Sequence, residues 1–375
     1  MKKNSGYVYA VMEEDLVRQI RSGALGAGDC ILSENELSRK YAISRVSVRR
    51  GIARLAQKGL LRRVPGKGTF VAGPEGEKTS TARKTLSFIV PDIEDVFISE
   101  LHRGVEETCG KMGYEVIVQS CDCRPEKENQ YLMRLKDQPV AGAIIFPNWG
   151  RFNTDAIFSL KQKNVPFVLI DRYFRDIDTD YVVVDNLKGA YDAVSHLVKL
   201  GHKRIAHLGG VPCTANEDRH EGYKLGLAKA KIFYDPDLVR QIAPDQIAGS
   251  SRFEPDDVGG YVETKKFLAP GKRPSAIFAA NDGLAIGAFK AIREAGLKVP
   301  KDVALVGFDD QKMSALLEVP LTTVRQPKRE IGKKAAEILI EKIQSGQKGA
   351  ARAFKHVVLK TELVIRKSCG AGNFH

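Results

Sequence analysis

Tryptophan occurs once in this chain of 375 residues, and its six cysteines (Cys30, Cys109, Cys121, Cys123, Cys213 and Cys369) are scattered. Only Cys121 and Cys123 lie close together, and no second pair completes a zinc-binding spacing, so neither a metal site nor a disulfide framework is expected. Reduced thiols in a cytoplasm are expected instead. Apolar runs are short, and none approaches the roughly 20 residues that span a bilayer. The opening MKKNSGYVYAVMEED has two lysines but lacks the apolar core of a secretion signal, which points away from export and from a membrane. Also missing are a nucleophile elbow, a metal-ligand helix, a dinucleotide fingerprint and a phosphate loop. The stretch GEKTS does not have the G-x-x-x-x-G-K-[ST] spacing. An enzyme is therefore not expected, and no catalytic residue, metal ligand or cofactor is nominated.

Acidic residues are scarce at one end. Residues 1–83 hold 16 Lys and Arg against 8 Asp and Glu, whereas the remaining 292 hold 43 against 38. Of the net charge of +13, +8 thus sits on less than a quarter of the chain. A local basic excess of this kind suits DNA, where binding releases counterions and depends strongly on salt. With 43% hydrophobic and 28% charged residues, the chain is otherwise ordinary for two or three folded domains.

The basic end contains a complete reading device in Ser33–Val71. Ser33 followed three residues later by Glu36 is a capping box, so a short helix is expected there. Ala42 and Ile43 make a turn, and Ser44 caps a second helix in which Val48, Ile52 and Leu55 recur at helical spacing until Gly59. Arg45, Ser47, Arg49 and Arg50 open that second helix, where donors at a positive helix terminus suit phosphates and guanine edges. Leu60–Val64, Pro65-Gly66-Lys67-Gly68 and Thr69–Val71 read as a hairpin with lysine at its tip, a wing. Ahead of all this, Tyr9, Met12, Leu16 and Ile20 mark one face of an opening helix that ends at Ser22-Gly23.

These residues resemble the winged-helix domain of the GntR family. The resemblance implies DNA contacts at Arg45, Ser47 and Arg49 on the recognition helix and at Gly66 and Lys67 in the wing. Asn35 stands where the family usually has an arginine, and Ser47 replaces its usual threonine. The expected division is a winged helix-turn-helix in 1–72, a linker in 73–84 and a larger domain in 85–375. AGPEGEKTSTARK, which follows Val71, has linker composition.

From Thr85 onward, β-rich apolar runs alternate with amphipathic helices. The runs are TLSFIVP, YEVIVQS, VAGAIIFP, VPFVLID, YVVVD, RIAHLGG, SAIFAAN and VALVGFD. Helix faces are marked by Leu101, Val105, Cys109 and Met112 and by Leu284, Phe289 and Ile292. Near-continuous apolar strands separated by helices predict parallel sheets covered on both faces. The length suggests two α/β lobes, divided near Val184-Asp185. Ligands of such sheets bind beyond the carboxyl ends of the strands. Those ends carry Asp92, Asp171-Arg172, Asn281-Asp282 and Asp309-Asp310, with Arg219 opening the helix after RIAHLGG. Carboxylate, amide and guanidinium groups pair with hydroxyls, while Phe97 and Phe253 can cover an apolar ring face, which is sugar-site chemistry. Each such Asp or Asn is about as well explained as a turn former or helix cap.

This part is similar to the LacI-type effector domain, itself related to periplasmic sugar-binding proteins. The resemblance rests on VVVDNLKGAYDAVSHLVKLGHKRIAHLGG, RHEGY, PSAIFAANDGLAIGAFKAIREAGLKVPKDVALVGFDD and PLTTVRQP. It implies effector contacts at Phe97, Asp171, Arg219, Phe253, Asn281 and Asp309. The family's own headpiece and hinge helix are replaced by the GntR-type domain, a swap resembling arabinose-repressor-type chimaeras. Expected, then, is an α/β chain with an N-terminal winged helix and a two-lobed effector domain. It would act as a homodimeric repressor on a near-palindromic operator, released by a small sugar. A purine or other effector and an activating role are the alternatives, and an enzyme or a solute-binding protein are rivals from other classes.

Overall fold

The computed structural model describes residues 9–26, 28–64, 68–72, 85–242, 256–268, 273–346 and 353–371. Two compact units divide the chain, Met1–Ala82 and Arg83–His375. The expected linker 73–84 lies outside the described residues.

In the first unit, α1 (Ala10–Arg21) buries Met12 and Leu16, and it ends where Gly23 takes a φ of 78°. Next, α2 (Glu34–Lys40) opens on the capping box: Glu36 N–H donates to Ser33 Oγ, and Ser33 N–H donates to the Glu36 carboxylate. After a turn in which Ala42 has a φ of 51°, α3 (Arg45–Gln57) starts from Ser44, whose Oγ accepts from Ser47 N–H. Gly59, at φ 72°, ends it as a left-handed C-terminal residue should. Val48, Ile52 and Leu55 are buried with Leu37, Ile31, Leu61 and Val71, and each such side chain contributes about 1.5–3 kcal/mol on leaving water. Strands β1 (Leu61–Val64) and β2 (Gly68–Val71) pair antiparallel from Leu61 opposite Val71 to Val64 opposite Gly68. A bridge between Cys30 and Phe70 adds a further edge to this hairpin.

The second unit holds two six-stranded sheets. The first runs β13-β7-β6-β5-β3-β4, all parallel: β3 (Thr85–Val90), β4 (Glu115–Ser120), β5 (Gly142–Ile145), β6 (Phe167–Ile170), β7 (Tyr181–Val184) and β13 (His356–Leu359). The second runs β14-β12-β11-β10-β8-β9: β8 (Ile205–Gly209), β9 (Val239–Gln241), β10 (Ala276–Ala279), β11 (Ala304–Asp309), β12 (Thr322–Arg325) and β14 (Glu362–Val364), of which β14 alone is antiparallel. The eight apolar runs of the sequence are β3–β8, β10 and β11.

Helices cover both faces of each sheet. In the first lobe α4 (Val96–Lys111) packs with α11 (Lys328–Gly346), and α5 (Pro125–Arg134) and α6 (Thr154–Gln162) pack together. In the second, α7 (Asn186–Lys199) packs with α8 (Thr214–Lys229), and α9 (Asp256–Phe267) with α10 (Asp282–Glu294). Met112 does not share the apolar face of α4; it is the exposed C-cap residue.

The expected single break near Val184-Asp185 is the first of three crossings between the lobes. The chain returns to the first lobe between β12 and α11, and leaves it again between β13 and β14. Sequence order assigns 185–375 to one lobe, but the parallel pairing of β13 with β7 needs the late strand on the early sheet.

Candidate functional site

On the DNA-reading unit, the caps of α2 and α3 fix which side chains face outward. Arg45, Arg49 and Arg50 are exposed on the first two turns of α3, and Asn35 is exposed on α2. Ser47 is half-buried, its Oγ 3.0 Å from Ser44 Oγ. Val46 is also exposed, adding an apolar contact to this face. Gly66 and Lys67 lie outside the described residues. The sequence reading missed Glu34. Its two carboxylate oxygens accept from Arg49 Nε at 2.7 Å and from Arg63 Nη2 at 2.9 Å. This fork holds the recognition helix to the first wing strand and engages one nitrogen, Nε, of the Arg49 guanidinium. The only signal for it was an acid at the start of a helix in a basic segment.

Between the two lobes of the second unit lies a cleft of about 510 Å³. Phe97, Asp171, Arg219, Asn281 and Asp309 all line it, as do Asp92 and Arg172. Phe253 lies outside the described residues. The cleft forms where strands end: Asp171 follows β6, and Asp309 is the last residue of β11. Both have positive φ, 63° and 111°, and such backbone costs on the order of 1–3 kcal/mol, which is characteristic of functional sites.

Arg219 is the organising cation. It sits in the second turn of α8 rather than opening it, since the helix begins at Thr214. Its Nε donates to Asn186 Oδ1 at 2.8 Å, its Nη1 to Ala280 O at 2.6 Å, and its guanidinium lies 3.8 Å from the Phe308 ring centre. The remaining nitrogen, Nη2, stands 3.7 Å from Asp309 Oδ1. Asp309 also accepts from Gln326 Nε2 at 2.7 Å, and its backbone carbonyl accepts from Lys328 Nζ at 2.5 Å. Burial pushes the Asp309 carboxyl up to about 8; Arg219 opposes the shift and nearby Asp282 adds to it. A carboxyl raised this far can donate as well as accept near neutral pH.

Strand-end polar groups divide into two kinds. Asn281 lines the cleft and also caps α10, its Oδ1 accepting from Leu284 N–H. Asp282 turns away into the lobe, accepting from Thr323 Oγ1, Ser314 Oγ and Gln311 N–H, and burial raises its carboxyl to about 6. Asp310 is held by Arg325 and Arg366. Apolar walls come from Phe97, which meets Phe146 edge-on at 6.2 Å, and from Trp149. Sequence reasoning missed Trp149, Gln326 and Lys328. The last two come from the second crossing, whose return to the first lobe has no local signal.

Among the described residues, no group of three or more His, Cys, Asp or Glu side chains is placed to hold a metal. Within them no helix is long and apolar enough to cross a membrane. All six cysteines are free thiols.

Comparison with known proteins follows the same division. Residues 8–71 match the model of bacterial regulatory proteins of the gntR family, and 194–369 match the periplasmic binding protein-like domain. An arabinose metabolism transcriptional repressor of Geobacillus stearothermophilus is 29% identical over 98% of this chain and 99% of its own length. The HTH-type transcriptional regulator DegA of Bacillus subtilis is 33% identical over 77% of this chain and 82% of its own. Among solved structures, a LacI family transcriptional regulator from Enterococcus faecium with bound ribose superposes with a TM-score of 0.62. It is 29% identical and covers 76% of this chain and 98% of its own. A transcriptional regulator CelR–cellobiose complex shares the fold, with a TM-score of 0.66 at 24% identity, covering 86% and 90%.

Proposed function

Because this chain belongs to the HTH-type transcriptional regulators, joining a gntR-family DNA-binding domain to a periplasmic-binding-protein-like effector domain, we propose that it is a cytoplasmic, homodimeric repressor of carbohydrate-utilisation genes. A small, uncharged sugar in the cleft releases it from a near-palindromic operator. The observation that carries this reading is the Arg219–Asp309 pair set among Phe97, Phe146 and Trp149, a set of donors, acceptors and flat apolar walls that suits a polyhydroxylated ring. Charge supports an uncharged ligand. Asp92, Glu94, Asp95, Asp171 and Asp257 line the cleft against two guanidinium groups, Arg172 and Arg219, so a phosphorylated or acidic sugar meets repulsion.

Asn35 on α2, Arg45, Ser47, Arg49 and Arg50 on α3, and Gly66 and Lys67 of the wing are the DNA contacts of this reading. Phe97, Asp171, Arg219, Phe253 and Asn281 join Asp309 as effector contacts. A dimer follows from symmetry, since one winged helix reads a short half-site. The relatives regulate transcription, and this chain does so without chemistry of its own.

The test uses DNA selected by this chain from a random pool. L-arabinose, D-ribose and their 5-phosphates are each added to the protein alone and to the protein–DNA complex. One free sugar should stabilise the protein by about 2.7 kcal/mol at a hundred times its Kd and release the DNA, and its phosphate should do neither. Asp309→Asn should bind DNA normally yet fail to release it at that sugar concentration. Release of DNA from Asp309→Asn at the wild-type sugar concentration would put the site elsewhere.

A further inference from the structure

Trp149 is the only tryptophan of the chain, and it stands where the two lobes meet. It belongs to the loop after β5 of the first lobe, yet its ring packs in the apolar cluster of the second, with Leu208 and Val211. Phe152 meets the indole edge-on, 5.1 Å between ring centres. The next residue completes the bridge, Gly150 N–H donating to Pro212 O at 2.8 Å.

The side chain is 8% exposed and lines the cleft. Its Nε1 is buried and has no hydrogen-bond partner among the described residues. An indole N–H can only donate, and a buried donor left unpaired is destabilising, so a native one calls for an explanation. The surrounding chemistry supplies it. The cleft is rich in carboxyl oxygens that accept, while three nitrogens of Arg219 are already directed at Asn186, Ala280 and Asp309. A sugar hydroxyl gives one proton and accepts others, and its lone pairs need a donor that is not already engaged.

Building on the sugar-binding reading, we infer that Trp149 is both a ligand contact and a tie between the lobes. Its N–H, closed off from the cleft in this arrangement, comes to donate to a hydroxyl or ring oxygen of the bound sugar through a small rotation of the indole, while its ring holds the first-lobe loop against the second lobe. Occupancy of the cleft and the arrangement of the lobes are then reported by one side chain.

The full-length protein is titrated with L-arabinose, D-ribose, D-xylose, D-galactose and cellobiose, following heat and tryptophan emission together. The sugar that binds should shift or quench the emission. Trp149→Phe keeps an apolar ring but lacks the N–H, and it should bind that sugar roughly three- to tenfold more weakly while melting within a few degrees of wild type. Among deoxy analogues of the same sugar, one should lose affinity for wild type and little for Trp149→Phe, which identifies the paired hydroxyl. If a sugar binds with heat but leaves the emission unchanged, or binds Trp149→Phe as tightly as wild type, Trp149 is no ligand contact and the sugar reading survives. If wild type takes up none of the panel, both readings fall.

Discussion

His207 shows how far one buried side chain can be driven from its ordinary behaviour. It is fully buried in β8, its Nδ1 is 3.2 Å from Phe278 O, and its ring stacks with Tyr223 and Phe278 and meets His220 at a tilt. Burial, with His220 second, depresses its pKa from 6.5 to about 3. The folded ring is thus neutral where the unfolded ring takes a proton, and folding loses stability as pH falls from 6.5 towards 3. At pH 5 the loss is about 2 kcal/mol relative to neutral pH. Asp309 and Asp282, whose carboxyls are raised, act in the opposite direction, losing stability as pH rises above about 4. A comparison with His207→Gln separates the contributions. In urea titrations the wild type should fall behind the variant by that amount between pH 7 and pH 5, and parallel curves would remove His207 from the account. Residues of this kind were only partly legible in the sequence. Asp309 and Arg219 stood out because they follow strands within motifs of a known resemblance. Trp149, Glu34 and Lys328 did not, because each acquires its role from a partner far away along the chain.

At the scale of elements, the helix pairs meet through glycine. A Cβ on Gly104 of α4 would lie 2.1 Å from Arg329 O, and one on Gly332 of α11 would lie 2.1 Å from Leu101 O. The same reciprocity joins Gly260 and Gly287 across α9 and α10. Backbones this close cannot make room by rotating a side chain. Gly104→Ala should therefore destabilise the effector unit by about 1–3 kcal/mol, near the upper end, despite the better helix propensity of alanine. Denaturant melts check this, and an alanine variant as stable as wild type would mean the helices part easily. The strands were read unevenly. Those buried on both faces, such as β5 and β6, are continuous apolar runs and stood out. The edge strands are short: β13 alternates between exposed and half-buried positions over four residues, and β14 has one exposed and two half-buried residues, too little pattern to separate a strand from a loop.

At the scale of the molecule, the winged helix carries its own cluster of Met12, Leu37, Val48, Leu55 and Val71 within residues 1–82. Expressed alone, that fragment should fold cooperatively, yet bind selected DNA more weakly than the full chain by about 10²–10⁴-fold once the second copy is lost. Gel-shift titrations compare the two, and equal affinities would make pairing through the effector unit unnecessary. The effector unit has no such freedom to be cut. Its two lobes are interleaved by three passages of the chain, so no contiguous stretch of sequence equals a lobe. Residues 85–184 alone would lack the helix that covers Gly104 and the strand that borders β7. A protease cutting at Asp185 would leave the later fragment still threaded into the earlier lobe. In a molecule woven this way, the two halves are tied by three crossings and cannot be dealt out separately by recombination. Whatever evolution exchanged at the front of this chain, it had to keep the rest as one piece.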